Sequence, residues 1–202
     1  QLKGALQQGV LPTRAGYDRP DNSAYAHLAT RPVWLAAGVS KGEIEPVLSA
    51  HRLVMRHAHR TLLILAPQQP EDSAEAIRQC QDTGLHALIP SQAEGPDANT
   101  HVLVPTGADP LDVWYHLASV CFLGQSMVAQ GPALDPYCAA SHGCAILYGP
   151  RVADYSDRYL KLAEAGAARQ IRDSDTLAAA VGQISAPDVA AQMAFAAWQV
   201  TS

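Results

Sequence analysis

The sequence predicts an α/β fold built as a parallel, doubly wound sheet with helices on both faces. Three observations carry this expectation. Short apolar runs recur along the chain, and they are continuous rather than alternating, which is the pattern of strands covered on both faces. Segments with helical start and stop signals lie between them. The connections are short and rich in Gly and Pro, as repeated strand-helix units require.

The first strand is expected at Val33-Trp34-Leu35-Ala36-Ala37, after the break of Arg31-Pro32. Further strands are expected at Thr61-Leu62-Leu63-Ile64-Leu65, His86-Ala87-Leu88-Ile89, His101-Val102-Leu103-Val104, Val120-Cys121-Phe122-Leu123 and Cys144-Ala145-Ile146-Leu147-Tyr148. Helices are expected over 42–58 with Pro46 in the first turn, 71–82 stopped by Gly84, 110–118, 135–142, and 154–165 stopped by Gly166. Two more, over 173–184 and 187–199, close the chain, with Asp173 or Ser174 as a cap and Pro187 at the start of the last. Residues 1–31, broken by Gly, Pro, Asn and Asp, read as an interdomain linker or extended segment, and 32–202 as the organised domain.

With 202 residues, 48% hydrophobic and 16% charged, the chain is long and apolar enough for one or two modest globular domains. The net charge of −5 offers no footprint for nucleic-acid phosphates, so a nucleic-acid partner is not expected. Apolar runs such as Leu62–Ala66 fall far short of the ~18–20 residues that span a bilayer. The four cysteines form no CxxC pair, and reduced thiols are expected. The chain opens on Gln1 and stops at Thr201-Ser202 after an Ala-rich run, so it reads as a piece of a longer protein.

Neither GxGxxG nor GxxxxGK[ST] occurs, which leaves no dinucleotide fingerprint and no Walker loop. The loops at the carboxyl ends of the strands are therefore the places to look for a ligand site. Gly38-Val39-Ser40-Lys41-Gly42 could cradle a phosphate with N–H groups and a hydroxyl, or simply turn the chain. Gly124-Gln125-Ser126 followed by Gly131 would let a ligand approach the backbone, or serve as a connector. Asp135-Pro136 fits a helix cap. Arg151 after Gly149-Pro150 is either an anion clamp or a solvated cation. Glu43/Glu45 and Glu71/Asp72 sit at helix starts, where carboxylates are favoured anyway.

The cluster His51, Arg52, Arg56, His57, His59, Arg60 lies on the second half of a helix, where cations complement the macrodipole. Cys138, His142 and Cys144 have a zinc-like spacing without an evident fourth ligand, and buried structural thiols are the competing explanation.

Taken in order, Arg31-Pro32-Val33-Trp34-Leu35-Ala36-Ala37, Gly42-Glu43-Ile44-Glu45, Leu62–Pro67, Leu117–Gly124, Ser126-Met127-Val128, Ile146-Leu147-Tyr148-Gly149-Pro150 and Glu164–Gln170 resemble one family. They are similar to the carboxyl-terminal half of 3-deoxy-D-manno-octulosonic acid (Kdo) transferases, over about residues 31–200. The resemblance implies a Rossmann-like domain, one half of a GT-B glycosyltransferase, that grips the donor CMP-Kdo. It implies metal-independent, inverting transfer of the sugar acid to a lipid A precursor at the cytoplasmic face of the bacterial inner membrane. No cofactor is implied. The catalytic base, the membrane anchor and the acceptor site would belong to an amino-terminal domain, the partner of this one.

The loops depart from the family pattern where the strands do not. Pro67-Gln68-Gln69-Pro70-Glu71 replaces Pro-Arg-His-Pro-Glu and lacks its cation. Ala108-Asp109-Pro110-Leu111 stands for Met-Gly-Glu-Leu, and Asp135 stands for an Asn. A carboxylate accepts hydrogen bonds only, so Asp135 near an anionic donor needs a compensating cation, for which Lys41 and Arg151 are the candidates.

The donor-site residues implied are Gly38 and Ser40 as a phosphate or sugar cradle, and Gln68 and Gln69 as polar contacts. Gly107 and Ala108 would give backbone contacts to the base, and Gln125 and Ser126 would hold phosphate. Asp135 would meet the sugar and Arg151 the donor carboxylate or phosphate. The lost cation also allows a non-catalytic scaffold or partner-binding domain, and a third reading is another sugar-nucleotide enzyme such as an epimerase.

Overall fold

The structure is a computed structural model that describes residues 31–90, 96–107, 110–128 and 131–202. The expected linker before Arg31 and the expected base contact Ala108 lie outside the described residues.

Seven parallel strands form one sheet: β1 (Val33–Val39), β2 (Leu62–Pro67), β3 (Ala87–Leu88), β4 (Val102–Leu103), β5 (Val120–Leu123), β6 (Ala145–Tyr148) and β7 (Ala168–Gln170). Their order is β3-β4-β2-β1-β5-β6-β7. The helices are α1 (Ile44–Met55), α2 (Ser73–Asp82), α3 (Leu111–Leu117), α4 (Pro136–Ser141), α5 (Ser156–Glu164), α6 (Ser174–Ile184) and α7 (Pro187–Thr201). The doubly wound Rossmann-like α/β fold read from the apolar runs is the one observed.

Two apolar layers sandwich the sheet, because successive strand side chains point to opposite faces. Trp34, Ala36, Leu63 and Leu65 pack with residues of α1, α2 and α6. Leu35, Ala37, Ile64, Cys121 and Ile146 pack with residues of α3, α4 and α5. α7 crosses the boundary, giving Ala190 and Met193 to the first layer and Ala197 to the second. Burying one Leu or Ile side chain fully stabilises the fold by roughly 1.5–3 kcal/mol relative to leaving it exposed. The central strands are buried along β1 and over Leu62–Ala66 of β2, which holds the sheet's position firmly.

The helices start as their caps dictate. Asp173 accepts from the Thr176 N–H at 2.8 Å at the start of α6, and Asp135 accepts from the Tyr137 N–H at 3.0 Å at the start of α4. Pro46 sits in the first turn of α1, where its missing N–H costs nothing.

The sequence patterns miss β7. Its three residues include the exposed Arg169 and Gln170, and it pairs on one side only, so a polar edge strand lacks the apolar run of its neighbours. Among the described residues no helix is long and apolar enough to cross a membrane.

Candidate functional site

The strand order reverses at β1. The chain runs outward through β2 on one side and resumes with β5 on the other, and the loops after β1 and β5 lead to helices on opposite faces of the sheet, α1 and α4. Ligands of open parallel sheets bind at such a switch point.

Gly38 shapes one wall. It has φ +60°, and the β1–β2 register skips it, with Ala37 opposite Ala66 and Val39 opposite Pro67. Val39 therefore joins the same apolar layer as Trp34 and Ala36, which regular alternation would not allow. A Cβ at Gly38 would lie 2.6 Å from Leu134 Cδ1 and 2.9 Å from Gln68 Oε1, so Leu134 and the Gln68 amide cover this glycine directly. Gly38 is thus a bulge glycine.

Two further glycines permit main-chain crossings. A Cβ at Gly124 would lie 2.5 Å from Gly38 O, and one at Gly149 would collide with Ser126 O. The loops after β1, β5 and β6 are pressed backbone against backbone. Arg151 joins them through its N–H, which donates to Ser126 O at 2.9 Å, while its side chain is exposed.

The polar centre of this edge is Glu43, fully buried at the start of α1. Its Oε2 accepts from Ser40 N (3.1 Å), Ser40 Oγ (2.9 Å) and Gln125 N (2.6 Å). Its Oε1 accepts from Met127 N (2.8 Å) and Val128 N (3.3 Å). Position alone assigns Glu43 to the helix dipole, and that assignment overlooks the larger role. The signal was present in Ser40-Lys41-Gly42-Glu43, the spacing of a capping box.

The two serines of the implied site face inward. The Ser40 hydroxyl donates to Glu43. Ser126, fully buried, donates to Leu123 O at 2.5 Å and accepts from Gly149 N at 2.7 Å. Both hydroxyls hold loops together. Gln125 is the one non-glycine among the described residues with positive φ, at 58°. Its side chain lies against Gly131 and its Nε2 is buried without a hydrogen-bond partner.

Asp135 is paired. Its carboxylate caps α4 and meets the Arg158 guanidinium in an ion pair. Arg158 lies 4.9 Å from the Tyr137 ring centroid and 5.5 Å from that of Tyr155. The carboxylate raises the Arg158 pKa. Lys41 and Arg151 are the compensating cations expected from the sequence; the cation comes instead from α5, more than twenty residues along, a contact no local spacing announces. The Tyr159 hydroxyl donates to Leu134 O at 2.8 Å and Asp154 accepts from Ala133 N at 3.1 Å, so the approach to α4 is pinned on three sides.

Gln68, Gln69 and Gly107 lie on the β2 and β4 side, all exposed, with Gly107 packed on Pro70. The structure therefore brings Gly38, Ser40, Gln68, Gln125, Ser126 and Arg151 to one edge, and places Gln69 and Gly107 as a second group beside it. The outward-facing amides and cations of these loops suit the binding of a polar, anionic ligand.

Other candidates take structural roles. Cys144 is buried, its thiol directed at Tyr115 O (3.3 Å), and His142 Nδ1 is 2.7 Å from Cys138 O. Among the described residues no group of three or more His, Cys, Asp or Glu could hold a metal ion. In the basic cluster, His51 is not a helix-end cation. It is fully buried, accepts from Trp34 Nε1 at 3.1 Å and lies with Nε2 3.0 Å from His101 O. The Trp34 donor fixes the proton on Nε2, and burial lowers the His51 pKa to about 3, so the ring is neutral.

No protein-family model matches the chain. It is 31% identical over 161 residues to the 3-deoxy-D-manno-octulosonic acid transferase of Bordetella pertussis, covering 76% of this chain and 36% of that protein. It is 30% identical over 101 residues to the Haemophilus influenzae protein of the same name, covering 50% of this chain and 24% of that one. The chain thus spans well under half the length of these curated relatives. In three dimensions it resembles the C-terminal CMP-Kdo binding domain of WaaA from Acinetobacter baumannii, with a TM-score of 0.79 at 22% identity over 86% of this chain and 91% of that one. It also resembles WaaG, a glycosyltransferase involved in lipopolysaccharide biosynthesis, with a TM-score of 0.56 at 12% identity over 95% of this chain and 47% of that one. In sequence and in fold, this chain is a Kdo transferase-like carboxyl-terminal domain with the Rossmann-like architecture of one half of a GT-B glycosyltransferase.

Proposed function

We propose that the chain is the donor-binding domain of a glycosyltransferase that moves Kdo or a similar sugar acid from a CMP-activated donor to a lipid A precursor. The observation that carries this reading is the convergence of the loops after β1, β2, β5 and β6 on the switch point of a parallel sheet, in a chain with Kdo-transferase relatives. Gln68 and Gln69 would contact the donor, Gly107 and Ala108 its base, and Arg151 its phosphate or carboxylate. Lys41, exposed beside Ser40, adds a second cation. Gly38, Ser40, Gln125, Ser126 and Asp135 would build the walls of the site, given how their polar groups are engaged within the fold.

In this reading the domain's share of catalysis is electrostatic. As the glycosidic bond breaks, charge grows on the departing CMP phosphate, and fixed cations and N–H dipoles at the strand ends stabilise it. No metal is invoked. The base and the acceptor would come from a second domain on the amino-terminal side, at the cytoplasmic face of the inner membrane, and turnover would require the two domains to close.

Calorimetric titration of CMP at low salt, with UDP and ADP as controls, tests the proposal. Saturable binding selective for CMP is expected. Absence of binding up to millimolar nucleotide, both here and in a longer chain carrying the amino-terminal domain, would overturn it and favour the non-catalytic scaffold. Preference for UDP or ADP would instead favour another sugar-nucleotide enzyme.

A further inference from the structure

The switch point of a parallel sheet is normally an open crevice, with the loop N–H groups of both halves turned toward a ligand. Here the crevice between the loops after β1 and β5 already contains an anion that belongs to the protein. The Glu43 carboxylate takes five donors, two from Ser40 and three from the backbone of Gln125, Met127 and Val128. The two halves it joins are more than eighty residues apart in sequence. Among the described residues Glu43 has no ion-pair partner. Its charge is met by N–H and O–H groups alone, as a bound phosphate's would be at a helix start.

The backbone it holds is a strained one. Gln125 is left-handed at φ 58°, a conformation that residues with side chains keep only where the surroundings enforce it. The 2.6 Å bond from its N–H to Glu43 is part of that enforcement. The crossings at Gly124 and Gly149 leave the loop no slack on either side.

We infer that Glu43 is a positioning residue that acts as an internal anion, tying the loop after β5 to the start of α1 across the switch point and fixing the floor of the ligand site before any ligand arrives. This rests on the donor-site reading for its functional meaning, although the latch itself does not. One consequence follows for recognition. The N–H groups of Gln125, Met127 and Val128 are occupied, so a nucleotide phosphate is held by groups on the outer side of the loop, with Lys41 and Arg151 in reach of solvent.

Backbone amide hydrogen exchange on the 202-residue chain, followed by NMR, tests the latch. In the unaltered chain the Gln125 and Met127 amides are expected to be protected despite lying in a loop. In Glu43→Gln, where an NH2 group replaces one acceptor oxygen, their exchange should rise by on the order of tenfold or more, while Phe122 within β5 stays slow. Glu43→Asp should recover part of the protection, and Glu45→Gln, on the exposed side of the same turn, should change nothing. CMP affinity should fall by on the order of tenfold in Glu43→Gln without a matching fall in the denaturation midpoint.

Free-peptide exchange rates at Gln125 and Met127 in the unaltered chain would overturn the latch, even if Glu43→Gln failed to fold. Undiminished CMP affinity in a folded Glu43→Gln would overturn the positioning role. Protected amides together with no CMP binding by the unaltered chain would leave the latch standing and overturn the donor reading instead.

Discussion

The two ends of the sheet are closed by opposite charges. Before β1, the Arg31 guanidinium donates to three carbonyls, Arg60 O (2.9 Å), Asp97 O (2.8 Å) and Thr100 O (2.8 Å), gathering the turns that lead into β2 and β4. At the carboxyl edge the Glu43 carboxylate gathers N–H groups from the loops that leave β1 and β5. A cation on carbonyls and an anion on N–H groups do the same mechanical work with reversed polarity. They differ in what surrounds them. The amino end has regular backbone and a neutral histidine between Trp34 and His101, whereas the carboxyl end has a bulge at Gly38, a left-handed Gln125 and two close backbone crossings. Strain is concentrated at the end where a ligand would bind, as expected when a scaffold holds a site in shape.

The largest effect is expected from breaking the carboxyl end. Gly149→Ala places a methyl group against the Ser126 carbonyl, with backbone on both sides and nothing flexible to yield. It should cost roughly 4 kcal/mol or more, the upper end for single substitutions, read as a drop in urea midpoint. Gly166→Ala, where nothing lies within 4 Å of the new atom, offers the contrast: only the strain of its φ of +76° remains.

The amino end should break with acid. Below about pH 6.5 the unfolded chain takes up a proton on His51, and the folded chain does not until about pH 3. Stability therefore falls as pH is lowered through that window, by up to ~1.4 kcal/mol per pH unit from this group. His51→Gln, which can still accept from Trp34 and donate to His101 O, should flatten the slope of stability against pH between 6 and 4.5. An unchanged slope would mean that the ring ionises inside the fold.

Arg31→Ala should be milder, on the order of 1–3 kcal/mol, because the three carbonyls it leaves lie in turns near the surface that water can reach. Chemical denaturation measures it, with amide exchange expected to quicken around Thr100 and to stay slow at Phe122.

The smallest effect on stability, with a modest one on the site, is expected from Arg158→Ala. Its pair with Asp135 is at the surface and adds little to folding. Removing it leaves the Asp135 charge uncompensated next to Leu134, which covers Gly38, so CMP affinity should fall by a small factor at low salt and less at high salt. Equal affinity at both salt concentrations would show that Asp135 does not sense the ligand.

Much of the architecture was legible because burial on both faces writes itself into the sequence as continuous apolar runs, clearest in β1, β2, β5 and β6. β7 was not, since an edge strand can carry Arg169 and Gln170 facing water. The place of the candidate site was suggested by the same rule, as strand-end loops are punctuated by Gly38, Gly107, Gly124 and Gly149. The partners within it did not. Glu43 meets Gln125 and Asp135 meets Arg158 only after the sheet has brought distant loops together, and neither local spacing nor composition records such a meeting. His51 misled for a related reason: a histidine on a helix with basic neighbours looks solvated until Trp34 on the adjacent strand is placed over it.

The four thiols offer a practical handle. Cys80, Cys121 and Cys144 are buried, while Cys138 is exposed on the first turns of α4, three residues beyond Asp135. The unaltered chain thus carries a single addressable labelling position beside the candidate site. Burial and the neighbouring carboxylates Asp135 and Asp112 raise its pKa, so coupling to a maleimide dye will need mildly alkaline buffer. A fluorophore placed there would report ligand arrival, or the approach of a second domain, without the introduction of any new cysteine.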